Sequence, residues 1–318
     1  MEDIENKFGI TFFSCPKPFE GIFNIIQRNA VKSWLNLNIE KEIILFGNDK
    51  GVKDVANEFK LVHIPDIKTD EKNIPIVGDI FMSASRISKY NILCFINSDI
   101  ILLEDFGEKI KKILRKIYNN FSKFIISGFR IDVDVNKEID FVKDQNYLLN
   151  LLNSGKINEG NDYFVFLKNT FAYFPDFLIG RFFYDNWILY YANKNKIPFI
   201  DVTDFIKILH QNHGYEFDMS KEYIYDKAIK NKDIRRNFKL AGFGSVYEYK
   251  DINYKINENL EIINIKSKTA FFRKIFKYIY LKIIFKLGEY GLVGEYIYFM
   301  IKRIRNILIY VLKFKTLK

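Results

Sequence analysis

Cysteine is nearly absent from the 318-residue sequence: Cys15 and Cys94 are the only two, each inside an apolar stretch and without CxxC spacing. That excludes a disulfide framework and a cysteine-based zinc module, and both read as reduced structural thiols. Histidine is also scarce, with three in the chain, and two of these fall together in His210-Gln211-Asn212-His213. No stretch approaches the roughly 18 uncharged apolar residues of a spanning helix. The acidic, polar start lacks the basic and apolar regions of a secretory signal, which predicts a cytoplasmic location. No internal repeat is visible, and the shortage of proline carries no functional weight.

What is present is core-forming material, 48% hydrophobic and 17% aromatic, enough for one large domain or a domain with an appendage. The net charge of +10 suggests nucleic acid until it is divided along the chain. Residues 266–318 hold 13 Lys/Arg against 2 Asp/Glu, and residues 1–265 hold 36 against 37. The basic character belongs to the tail, so nucleic-acid binding by the main region loses its electrostatic support.

Apolar runs alternate with amphipathic segments through the first half, the pattern of an α/β domain with a largely parallel sheet. Strands are expected at Ile10–Ser14, Ile43–Phe46, Leu61–Ile64, Ile92–Ile96, Phe124–Ser127, Tyr163–Leu167 and Phe199–Val202. Helices are expected at Phe23–Leu35, Val52–Phe59, Gly78–Lys89, Glu108–Asn119 and Tyr184–Asn193. The polar segment Asp132–Asn161 reads as loops or an acceptor-side insertion. In the tail, a helical wheel gathers Phe272, Ile275, Phe276, Ile279, Ile283 and Leu287 on one face, with Lys274, Lys277, Lys282 and Lys286 towards the other. Ile301, Ile304, Leu308 and Val311 repeat the stripe beside Lys302, Arg303 and Arg305. Residues 1–265 are thus expected to form the main domain. Residues 266–318 would form interfacial helices on an anionic membrane, or helices packed on the domain or a second subunit.

Asn97-Ser98-Asp99 lies between two apolar runs, where ligands collect at the carboxyl ends of parallel strands. A polar triplet in that setting is costly to bury without partners, although an Asx-type turn ending the strand explains it as well. Carboxylates there suit a hard divalent cation.

The segments ITFFSCPKPF, IQRNAVKSW, EIILFGND, INSDIIL, NDYFVF, FLIGRFFYDNW and DVTDFIKILHQNHGY resemble nucleotide-sugar glycosyltransferases of the GT-A fold, particularly a bacterial surface-polysaccharide group. The resemblance covers roughly residues 8–216. It implies a Rossmann-like mixed, mostly parallel sheet, a nucleoside-diphosphate sugar donor such as a UDP-sugar, a divalent metal (Mn or Mg), and a glycan or lipid-linked acceptor at the inner face of the membrane.

The family's strand-end motif is Asp-any-Asp; here its first position is Asn97, so Asp99 is the implied metal or ribose contact, with Asn97 and Ser98 beside the donor. Pro16 and Lys17 match the nucleotide loop after strand one, and Asp49 the acidic contact to base or ribose; either segment is equally a turn. Arg86 is expected to approach the diphosphate, or to be a surface arginine. Asp162 is placed on the acceptor side, after Gly160. Asp185 matches the catalytic base of inverting enzymes, or caps the following helix. His213 is preferred over His210 as the late histidine that meets metal or diphosphate, His210 being equally a core residue of the sheet.

Two other functions remain open. A sugar-phosphate nucleotidyltransferase would carry a glycine-rich phosphate loop that Cys15–Phe19 lacks. A non-catalytic membrane scaffold would leave Asp99 and Asp185 structural.

Overall fold

A computed structural model describes residues 8–118, 120–214, 231–265, 271–294 and 296–303. The chain opens with β1 (Gly9–Ser14), α1 (Gly21–Leu35), β2 (Glu40–Phe46), α2 (Val52–Glu58), β3 (Val62–Ile64), α3 (Val77–Ile87) and β4 (Ile92–Ile96). It continues through β5 (Ile100–Leu102), α4 (Phe106–Ile117), β6 (Ile125–Ser127), β7 (Arg130–Val133), α5 (Gln145–Ser154), β8 (Lys156–Asn158) and β9 (Tyr163–Leu167). Then come α6 (Tyr184–Lys194), β10 (Phe199–Asp201), β11 (Ile208–Gln211), α7 (Lys232–Ala241), β12 (Tyr254–Ile256), β13 (Ile262–Asn264) and α8 (Phe271–Leu287).

The main sheet has the order β13-β12-β10-β6-β9-β4-β1-β2-β3. Only β9 and β13 run against the other strands, so the sheet is mixed and mostly parallel. Its strands alternate between two cores. Ile92, Cys94 and Ile96 of β4 join Trp34 of α1 and Ile110 of α4 on one face, while Leu93 and Phe95 join Phe81 of α3 and Trp187 of α6 on the other. Burial on both faces is why β4 is an unbroken apolar run rather than an alternating one. α4 spaces Phe106, Ile110, Ile113, Leu114 and Ile117 so that all are buried on one side. At about 1.5–3 kcal/mol for each such side chain, this face outweighs the solvated lysines opposite.

A second, smaller sheet has the order β5-β11-β7-β8 and stands beyond the carboxyl end of β4. Its strand β5 follows Asn97-Ser98-Asp99 directly and is fixed to α1, because Trp34 Nε1 donates to the Ile100 carbonyl (2.9 Å) and Ser33 Oγ accepts from the Leu102 amide (3.0 Å).

The segment Asp132–Asn161, expected as loops or an insertion, is not irregular: it holds the end of β7, α5 and β8. Leu148, Leu151, Val133, Ile139 and Phe141 form a separate core with Ile101 and Leu209, so scattered apolar residues in a polar setting were enough.

The tail also departs from its wheel. α8 packs on the domain through Lys274, Leu281 and Phe285, with Phe285 stacked on Phe238 at 4.3 Å. Lys274, expected on the polar side, is buried against Asp251 (2.9 Å) and the Tyr247 ring. The stripe Phe272, Phe276, Ile279 and Ile283 is the exposed face. Ile304, Arg305, Leu308 and Val311 lie outside the described residues. No described helix is long and apolar enough to cross a membrane.

Candidate active site

The strand-end triplet is where the two sheets meet. The Asp99 carbonyl accepts from the backbone amide (3.2 Å) and the side-chain amide (3.1 Å) of Gln211, so the end of β11 is tied to it. That register brings both late histidines onto one carboxylate. His213 Nε2 lies 3.0 Å from Asp99 Oδ2, and His210 Nε2 lies 3.6 Å from the same oxygen. The preference for His213 over His210 is thus replaced by a pair. His210 is also a buried sheet residue, and the two readings of it are compatible.

Asp99, His210 and His213 each offer a ligand atom, all within 4.8 Å of one another. Asp99 Oδ1 is buried and has no hydrogen-bond partner among the described residues. His210 Nδ1 faces Asp132 Oδ1 at 3.0 Å, a carboxylate behind an imidazole of the kind that orients metal-bound histidines. A convergent set of one carboxylate and two imidazoles with an orphaned buried oxygen fits a divalent cation.

Burial alone would raise the Asp99 carboxyl, but the two histidines outweigh it and hold it well below the usual carboxylate range. For His210 burial pulls down, while the contact and charge of Asp99, aided by Asp162, carry the net direction upward.

Asn97 and Asp162 form a second layer. The Asn97 side chain donates to Asp162 Oδ1 (2.7 Å), and its backbone amide donates to the Asp162 carbonyl (2.9 Å). Arg130 Nη1 donates to Asp162 Oδ2 (2.8 Å), and Arg130 Nε donates to Asp132 Oδ1 (2.8 Å). One guanidinium therefore bridges Asp162 and the carboxylate behind His210. With both oxygens engaged, Asp162 is held as an ion-pair partner of Arg130. Gly160 makes room for this pair, since a Cβ there would meet Asp162 Oδ2 at 3.0 Å and Arg130 Cζ at 3.1 Å.

The loop after β1 reaches the same place through α1. Gln27 Oε1 accepts from the Lys17 amide (2.8 Å) and from Ser98 Oγ (2.8 Å), and Gln27 Nε2 donates to the Lys17 carbonyl (2.9 Å). Ser98 is thereby a brace between strand end and loop. Lys17 Nζ stands 4.5 Å from the Phe23 ring centroid, and Phe23 packs against His213. Pro16 is buried beneath this turn while Lys17 is exposed. Asp49 follows β2 at the same edge of the sheet, since β2 is parallel to β1. Its charge adds to burial in pushing the Cys15 thiol up to about 12.

Arg86 is not brought to the site. It is exposed on the last turn of α3, at the entry to β4, whereas the triplet is at the exit.

Asp185 lies in the first turn of α6. The helix is entered through Phe183, a non-glycine residue at φ 88°, a left-handed backbone that costs on the order of 1–2 kcal/mol. Phe183 is held there by its ring contacts with Phe238 and Phe285. Phe183, not Asp185, is the N-cap residue. Burial raises the Asp185 carboxyl, nearby backbone amides partly oppose this, and the Asp162 charge reinforces it, for a net upward direction. Burial followed by the charges of Asp185, Asp162 and Asp99 raises the neighbouring Tyr184, so these carboxylates share one electrostatic neighbourhood.

Sequence reasoning missed Gln27, Arg130, Asp132 and Gln211 as supports. Gln27 lies within IQRNAVKSW, but only tertiary pairing reveals what its amide holds.

No family model matches the chain, and no curated protein sequence matches it. Among solved structures it is similar to glucosyl-3-phosphoglycerate synthase from Mycobacterium tuberculosis in complex with Mn2+, uridine diphosphate and phosphoglyceric acid. That likeness has 10% identity, covers 76% of this chain and 81% of that one, and gives a TM-score of 0.45. Another structure of the M. tuberculosis synthase gives 9%, 75%, 82% and 0.42. A structure described as a mycobacterial protein gives 8%, 76%, 77% and 0.42. At this identity and superposition none of them assigns an activity to this chain.

Proposed function

We propose that the chain is a GT-A type glycosyltransferase. It moves a sugar from a nucleoside-diphosphate donor, taken as a UDP-sugar, to a glycan or lipid-linked acceptor in cell-surface polysaccharide synthesis at the cytoplasmic membrane face. The observation that carries this reading is the convergence of Asp99, His210 and His213 at the exit of β4, with Tyr184 feeling the charges of both Asp99 and Asp185.

Asp99, His210 and His213 would hold Mn2+ or Mg2+, which when bound supplies Lewis-acid neutralisation of a diphosphate. The protein's own part is separable. Asp185, its affinity for a proton increased by burial, takes the proton of the acceptor hydroxyl. The hydroxyl oxygen forms a bond to the anomeric carbon as the bond from that carbon to the diphosphate oxygen breaks, and the electron pair leaves with the diphosphate. Attack opposite the leaving group inverts the configuration. Lys17 and Asp49 flank the β1 and β2 edge where a nucleotide would lie, and Asn97, Arg130 and Asp162 keep the metal-facing layer rigid.

A panel of sugar nucleotides screened for thermal stabilisation, with Mn2+, Mg2+ or chelator, tests the reading, since a ligand at about 100 times its Kd stabilises by about 2.7 kcal/mol. We expect one donor to stabilise in a metal-dependent way that Asp99→Asn abolishes. Stabilisation by a nucleoside triphosphate with a sugar phosphate, and release of pyrophosphate, would establish a nucleotidyltransferase instead. No response to any nucleotide would leave the scaffold reading.

A further inference from the structure

α8 is apolar around most of its circumference, and the domain covers one side of it. At about 100° per residue, Phe272, Phe276, Ile279 and Ile283 fall within an arc of roughly 60° directly opposite the buried Leu281. They are 71%, 71%, 48% and 49% exposed. An apolar stripe of this size left in water marks an interaction surface. The chain then turns through residues 288–290, and residues 291–294 and 296–303 are helical. This segment folds back on α8: Tyr298 is buried against Ile284, and a Cβ on Gly294 would lie 1.7 Å from the Leu287 carbonyl oxygen, a crossing only glycine permits. Leu292, Val293, Tyr296 and Phe299 remain 85%, 66%, 69% and 50% exposed.

Charge identifies the occupant. Lys282 and Lys286 border the stripe on one side and Arg273 on the other, within a tail of 13 basic and 2 acidic residues. Just past the end of α8, a cavity of about 340 Å³ is lined by Lys232, Arg235, Arg236, Lys239, Leu240 and Glu289, with Lys239 paired to Glu289 at 2.6 Å, so four basic residues stand there against one acidic one. A second copy docking through the same face would set two strongly basic tails against each other, as a two-fold interface pairs each patch with itself. A bilayer with anionic headgroups offers apolar depth for the stripe and phosphates for the rim. The 17 residues of α8, with basic residues at both borders of the stripe, are not long and apolar enough to span a bilayer.

We propose that the exposed face of α8 and of the helical segment after it seats in an anionic phospholipid surface, with lipid phosphates held at the Lys232, Arg235, Arg236 and Lys239 cavity. This deepens the membrane-face location given above and is read without any transferase assay, so either can fail alone.

The test is co-sedimentation of the full chain with phosphatidylcholine vesicles, with or without phosphatidylglycerol. The wild type is expected to bind only the anionic vesicles, and salt is expected to weaken that binding. Phe272→Ser with Phe276→Ser and Ile283→Ser alters exposed positions, so melting should be unchanged while binding falls by about tenfold or more. Lys232→Glu with Arg236→Glu should weaken anionic binding by about fivefold or more for each residue reversed. Equal binding to both vesicle types, no binding, or unchanged binding by either variant would overturn the proposal. So would a concentration-dependent dimer in sedimentation equilibrium that the serine variant dissolves.

Discussion

Arg130 is the side chain whose loss should be felt at two places at once. It is 8% exposed and bridges Asp162, 7% exposed, to Asp132, with 2.8 Å contacts to each. Arg130→Met keeps most of the aliphatic volume but leaves the buried Asp162 carboxylate with the Asn97 side-chain amide, and the partly exposed Asp132 with the Asn158 amide and the His210 imidazole. Breaking one partner out of a buried pair costs about 3–5 kcal/mol. Asp132 is partly exposed and adds little. For a chain this long, roughly 2 °C per kcal/mol places the fall in melting midpoint at about 6–10 °C. Arg130→Lys keeps the charge but not the fork that reaches both carboxylates, so about half of the loss should return. The second effect is on the imidazole behind which Asp132 stands: Mn2+ affinity, read by calorimetry on the folded variant, should fall by about tenfold or more. A melting midpoint within about 2 °C of the wild type would refute the buried-bridge argument. Lost stability with unchanged Mn2+ affinity would refute the claim that Asp132 positions His210.

Asp185→Asn should abolish sugar transfer while lowering stability by no more than about 1 kcal/mol, the scale of an acidic residue in a helix first turn, as measured by activity and melting on one preparation. Gly160→Ala places a methyl 3.0 Å from Asp162 Oδ2 and should cost about 1–2 kcal/mol in denaturant unfolding. The metal-free site should also make stability depend on pH. His210 is raised from its ordinary 6.5, so its contribution is complete below that pH and is lost as pH rises above it; Asp99 is lowered from 3.8, so its contribution is complete above that pH and is lost as pH falls below it. Melts in chelator should therefore decline from pH 6.5 to 8, with a shallower decline in His210→Asn; equal slopes would refute the assignment.

The parallel half of the sheet was readable because buried strands such as Ile92–Ile96 are unbroken apolar runs and their helices carry the 3.6-residue period. The small sheet was not, because β7 (Arg130–Val133) and β11 (Ile208–Gln211) place charged and polar residues in buried positions that only ion pairing makes tolerable. The same reason hid half of the site: Asp99 and the two histidines were legible as residue types that bind metals, whereas Arg130, Gln27 and Asp132 act through Asp162, Ser98 and His210, which lie 32, 71 and 78 positions away in sequence. The tail shows a different failure. A wheel reports that a helix has two faces and not which one the protein covers, and in α8 the face with fewer apolar residues is buried because Lys274 finds Asp251.

Asn97 in place of a carboxylate follows from its neighbours. A second acid at that position would lie 2.7 Å from Asp162 Oδ1, and two carboxylates so close resist joint ionisation. The amide donates a hydrogen bond there instead, and Arg130 neutralises Asp162, so Asp99 is the one carboxylate in the donor set. Two imidazoles complete that set, which suits Mn2+ better than the harder Mg2+. Those three groups by themselves would leave a bound divalent cation with a net positive charge. On the proposed function a diphosphate would add negative charge beside the cation, so metal and nucleotide should each tighten the binding of the other by the same factor. Titrating Mn2+ with and without UDP, and UDP with and without Mn2+, measures both factors. If UDP leaves Mn2+ affinity unchanged, the cluster of Asp99, His210 and His213 is a closed structural metal site, and the diphosphate lies elsewhere.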